Sequence, residues 1–113
     1  MSVRFQIVHC GVVIAESSLD RLDPAMSIAT GTFFPTEHYW SVLRNVAGSN
    51  VSKDDAEVIV LTDELEIRTA TGSVVPTTWV RLEDLSSALG ENGREVTVCA
   101  ADSVTFEEYL RKV

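Results

Sequence analysis

The sequence predicts an α+β fold: an antiparallel sheet of hairpins with two main helices, at about 36–47 and 105–112, packed on it. Three observations predict it. Short β-branched and aromatic runs alternate with turn dipeptides, as in "VRFQIVHCGVVIAESS" and "LEIRTATGSVV". An apolar stripe at i, i+3, i+4, i+7 (Tyr39, Val42, Leu43, Val46) follows Pro35-Thr36. A T-x-x-E capping box, Thr105 and Glu108, opens the last segment.

Taken in order, Val3, Phe5 and Ile7 alternate with Arg4 and Gln6, the period of a half-buried strand. Gly11 supplies the positive φ of a tight reversal, and Val12-Val13-Ile14 starts the return strand. "DRLDPAM" reads as a polar connection with its turn at Asp23-Pro24. "SIATGTFF" is a third strand, in which Gly31 marks a bulge or a close backbone approach. Thr36 is the expected N-cap of the first helix and Gly48 its C-terminal stop.

Residues 52–62 carry mixed signals and read as a short helix running into an extended segment. Leu65 and Ile67 alternate with Glu66 and Arg68, Thr71-Gly72 turns, and Pro76 breaks the return strand or confines it to an edge. "WVRLEDLSSALG" passes from extended chain into a short helix stopped by Gly90. Asn92-Gly93 turns into a strand holding Val96 and Val98. The last helix should bury Phe106, Tyr109 and Leu110, with Val104 and Tyr109 as a hydrophobic staple.

At 113 residues, the chain is expected to form one domain, 1–113, without staples or a linker. A composition 45% hydrophobic and 23% charged fits a packed core. No apolar run nears the ~18 residues of a membrane span, and no signal-peptide pattern opens the chain, so the expected location is cytoplasmic. Seventeen acids against nine bases give a net charge of −8, which argues against nucleic acid and favours encounter with a basic partner. Cys10 and Cys99 read as free thiols in a reducing compartment.

Candidate chemistry is sparse. His9, Cys10, His38 and Cys99 are numerically a Cys₂His₂ set, yet only His9-Cys10 are close, and adjacent strand residues point to opposite faces. No metal or cofactor is therefore expected. A Cys–His pair lacks a setting that would lower a thiol pKa, no G-x-S-x-G elbow exists, and "GTFFPT" is no phosphate loop. Dispersed acids such as Asp20, Asp23 and Glu37 form no distinctive pair.

What remains is a concentration of rings. Residues 23–40 hold four of the eight aromatic side chains and one of the two histidines. Met26, Phe33, Phe34, His38 and Trp40 are the candidate binding residues, since rings with polar handles suit interface anchors. The competing reading is that so small a domain uses them as core, with Tyr39 the clearest case and one of Phe33 and Phe34 facing each side of the sheet.

Pro24, Met26, Ala29, Gly31, Phe33, Pro35 and Tyr39 form a P-x-M-x-x-A-x-G-x-F-x-P-x-x-x-Y pattern. In this pattern, and in "GREVTV" before the last helix, the chain resembles a family of small bacterial proteins without an assigned activity. The resemblance implies a bacterial cytoplasmic domain and transfers no catalytic residue. The sequence thus reads as a non-enzymatic interaction module, with a protein partner or a second copy bound at Met26–Trp40. One alternative is a small acid–base enzyme or ligand-binding protein centred on His38; another is an immunity or inhibitor protein for a basic toxin.

Overall fold

The computed structural model describes residues 5–42, 59–62 and 64–111. Among them, nine strands form one antiparallel sheet: β1 (Phe5–His9), β2 (Val12–Ser17), β3 (Arg21–Asp23), β4 (Ile28–Pro35), β5 (Ile59–Leu61), β6 (Leu65–Thr69), β7 (Val74–Val75), β8 (Thr77–Asp84) and β9 (Arg94–Ala100). The order is β5-β8-β9-β4-β2-β1-β6-β7, with β3 paired to β4.

This overturns the α+β expectation of two main helices packed on a sheet. Strand dominates; among the described residues the helical pieces are 37–42 (α1), Ser86–Leu89 (α2) with a 3₁₀ turn at Gly90–Gly93, and Ser103–Thr105 (α3) continuing as a π-helical stretch over Phe106–Arg111. A local apolar stripe can show that a segment is helical, but not how much of the core the long-range strand pairings take. The remainder of the expected first helix, including Leu43, Val46 and Gly48, lies outside the described residues, as does the expected helical part of 52–62.

Pro76 alone separates β7, at one end of the sheet order, from β8, second from the other end. The sheet must therefore curl until its ends meet, and β6 comes to lie against β8. The two hairpin limbs β5–β6 and β7–β8 run side by side, β5 on β8 and β6 on β7. Inside the wrap sits one hydrophobic cluster that includes Phe5, Ile7, Ile14, Phe33, Tyr39, Ile67, Leu82, Val96, Val98, Phe106 and Leu110.

Register slips shape the wrap. Cys10 (φ 49) and Gly11 (φ 83) are both left-handed, so His9 pairs with Val12 across a two-residue turn. The register then slips between Ile7 and Val8, leaving Ile14 as an extra residue on β2. The carbonyls of Ile14 and Val13 accept from the Thr36 N–H (2.9 Å) and hydroxyl (2.8 Å), which ties the start of α1 to this bulge.

Ser17 pairs with Phe33 but Arg21 pairs with Thr30, four steps against three, so β2 and β3 are one limb with an extra residue between them. The expected polar connection at 21–23 is thus strand; its turn follows at Asp23-Pro24, where the Met26 N–H donates to the Asp23 carbonyl at 3.2 Å. Leu19 sits in the bulge at φ 47 with its side chain buried. The Ser17 hydroxyl donates to the Thr32 carbonyl (2.8 Å) and accepts from the Leu19 N–H (3.1 Å). Gly31 lies under this fold-over, where a Cβ would come 2.7 Å from Ser17 Oγ and 2.9 Å from the Leu19 nitrogen.

At the C-terminal end the cap is Asp102, whose carboxylate accepts from the Thr105 N–H at 2.7 Å, so the helix starts before the expected Thr105. Val104 is exposed, whereas Phe106 and Leu110 reach the core and Tyr109, partly buried, packs against it.

Candidate functional site

The candidate site grows from the end of β4. Inward-facing positions of this strand alternate as Ala29, Gly31 and Phe33, all buried, and the outward set ends in Phe34. Phe33 is 1% exposed and Phe34 48%, which settles which of the pair is core. One helical turn later, Tyr39 enters the core and packs edge-on against Phe33, with ring centroids 5.3 Å apart.

Trp40 lies on the outer side of α1 and is 47% exposed. It is nonetheless held. Its ring meets Tyr39 edge-on at 5.1 Å, and the Arg94 guanidinium stands 5.3 Å from the ring centroid.

The parts that hold Trp40 belong to a polar group at the rim of the core. Val80, Leu82 and Asp84 are the inward positions of β8, and Arg94, Val96 and Val98 share one face of β9. Asp84 and Arg94 are directly paired across the two strands. The buried Asp84 carboxylate accepts from the Tyr39 hydroxyl at 2.5 Å and from the Ser86 N–H at 2.8 Å, and Arg94 Nε stands 3.5 Å away. That Nε is buried without a hydrogen-bond partner, so charge and the Trp40 ring place the guanidinium.

Protonation follows from this setting. Burial, the largest influence on Asp84, pushes its pKa up, but the bonds from Ser86 and Tyr39 and the Arg94 charge outweigh it and leave the carboxyl below its usual range. Burial first, then the bond to Asp84, pushes the Tyr39 hydroxyl well above its usual value. A tyrosine locked as donor and a carboxylate locked as acceptor make a positioning network rather than a proton-transfer pair.

The five sequence candidates are not brought together. Phe34, His38 and Trp40 share one end of β4; Met26, 62% exposed, lies beyond the other end of a strand about 23 Å long at about 3.3 Å per residue. Phe33 is core. His38 is exposed, its imidazole 3.8 Å from the exposed carboxylate of its neighbour Glu37. Asp23, a possible acid partner for it, is at the Met26 end.

Sequence reasoning missed three residues. Trp79 is exposed on the outer face, paired with Cys99, which also pairs with Ile28, and Arg81 stands 5.9 Å from its ring. Asp84 and Arg94 were readable as charges occupying apolar positions of an alternating strand. A scan against protein-family models, a search of curated proteins and a search of solved structures each found no match for this chain. Among the described residues no helix is long and apolar enough to cross a membrane.

Proposed function

We propose that the chain is a non-enzymatic protein-interaction module that engages its partner through Trp40, with Phe34 and His38 at the same end of the wrap. One observation carries this reading: Trp40 is half exposed yet fixed by Tyr39 and Arg94. A ring already held in one orientation loses little freedom on binding, and such preorganised tryptophans dominate interface energies. The net charge of −8 favours a partner with a basic surface. Met26 is not part of this surface, and Phe33 supports it from inside.

The acid–base reading centred on His38 draws less support. His38 is exposed, and the acid its imidazole meets, at 3.8 Å, is the likewise exposed Glu37 beside it. The family resemblance adds a proposed bacterial, cytoplasmic setting. Of its pattern, Gly31, Phe33 and Tyr39 serve the fold.

The test is capture of partners on immobilised wild-type protein and on folded Trp40→Ala and Phe34→Ala variants. Each captured protein is then purified and titrated against all three, and sedimentation reads self-association. Loss of a direct, measurable interaction in Trp40→Ala is expected. Unchanged affinities for every purified partner, with no Trp40-dependent self-association, would remove the proposal.

A further inference from the structure

A second constellation stands apart from Trp40. Imidazole, thiol and carboxylate donor atoms of His9, Cys10 and Glu64 all lie within 4.8 Å of one another. Their meeting is a product of the backbone. The left-handed turn at Cys10-Gly11 ends the alternation that would keep the Cys10 side chain opposite that of His9. Antiparallel pairing of His9 with Leu65 then brings Glu64, itself left-handed at φ 57, beside the turn. The Cys10 thiol donates to Glu64 Oε2 at 2.5 Å.

We propose that His9, Cys10 and Glu64 bind a zinc-type divalent cation. The donor mix selects the ion: thiolate and imidazole suit zinc, whereas magnesium and calcium take oxygen shells. Donors of a tetrahedral zinc site stand roughly 3.3–3.7 Å apart, given bonds of about 2.0–2.3 Å. To take that spacing the Cys10–Glu64 pair opens from 2.5 Å and donor atoms now up to 4.8 Å apart draw closer. On binding, the metal takes the place of the thiol hydrogen: the S–H···O bond is lost, the proton leaves to solvent, and sulfur and carboxylate oxygen become ligands. Three protein donors leave a position for water or a small ligand, the pattern of an accessible site rather than a closed structural one. Room for it exists in the adjoining cavity of about 360 Å³, floored by buried Val8 and walled by the Arg68–Glu66 ion pair.

The test is calorimetric titration of the full chain with Zn²⁺, paired with the electronic spectrum of its Co²⁺ complex. The expected result is one ion per chain at micromolar affinity or tighter, with a thiolate-to-cobalt charge-transfer band. Cys10→Ser should abolish the band, and His9→Gln and Glu64→Gln should each weaken binding at least about tenfold. Cys99→Ser should change neither. Absence of the band in the wild type, or wild-type affinity in both His9→Gln and Glu64→Gln, would overturn the proposal; the latter would mark Cys10 as a lone surface thiol.

Discussion

The Tyr39 hydroxyl donates to Asp84 Oδ2 at 2.5 Å, joining the helix after β4 to the last residue of β8. The same oxygen faces Arg94, and Arg94 faces Trp40. One hydrogen bond therefore links the end of β8 to the setting of the exposed tryptophan.

Removing that hydroxyl in Tyr39→Phe should cost about 1–3 kcal/mol at neutral pH, because a buried carboxylate loses a donor. A carboxyl depressed in the folded state stabilises above its unfolded pKa of about 3.9, and that stability is lost as pH falls through the folded value. Tyr39→Phe raises the folded pKa of Asp84, so its share of stability is smaller at pH 7 and disappears at a higher pH during acidification. Urea unfolding from pH 7 to pH 3 checks both signs. An unchanged neutral stability would contradict the role given to this bond.

Gly31→Ala should destabilise by about 1–3 kcal/mol, since the added Cβ meets Ser17 Oγ and the Leu19 backbone below 3.0 Å and the bulge must shift. Gly11→Ala is the control. It meets nothing within 4 Å, but its φ of 83 charges it about 1 kcal/mol of backbone strain. Thermal or denaturant unfolding of the two variants separates crowding from strain.

Phe33→Ala should lose about 3–5 kcal/mol and Phe34→Ala about 0.5 or less. Equal losses, read by denaturant unfolding, would contradict the facing of β4.

How much of this could be read from the residues varies with sequence distance. Gly11, Gly31, Asp23-Pro24 and Thr71-Gly72 declared their turns and close approaches, because one missing side chain or one turn dipeptide acts locally. The C-terminal cap was misplaced because Asp102 and Thr105 offer overlapping signals three residues apart, and the carboxylate wins. Closure through Pro76 was out of reach: Pro76 reads locally as a strand breaker, and only the pairings of β7 with β6 and β8 with β9 turn it into a seam. The candidate binding residues were legible as ring types, not as neighbours. A run from Met26 to Trp40 looks continuous in sequence, yet an eight-residue strand carries its ends apart.

Replacing Arg94 by Met should leave Asp84 buried without its opposite charge and Trp40 without its cation. A loss of about 1–3 kcal/mol is expected, together with faster motion of the Trp40 ring. Steady-state fluorescence anisotropy in a Trp79→Phe background, where Trp40 is the single tryptophan, reads the ring directly. Wild-type anisotropy in Arg94→Met would show that Arg94 does not hold it.

The most direct measurement compares the two exposed tryptophans. Purified partner, or a second copy of the chain, is titrated against wild type, Trp40→Ala and Trp79→Ala, with folding of each confirmed by circular dichroism. Trp40→Ala should weaken binding by about 2 kcal/mol or more, roughly thirtyfold, while Trp79→Ala stays within about twofold. Equal affinity of Trp40→Ala and wild type would contradict the account.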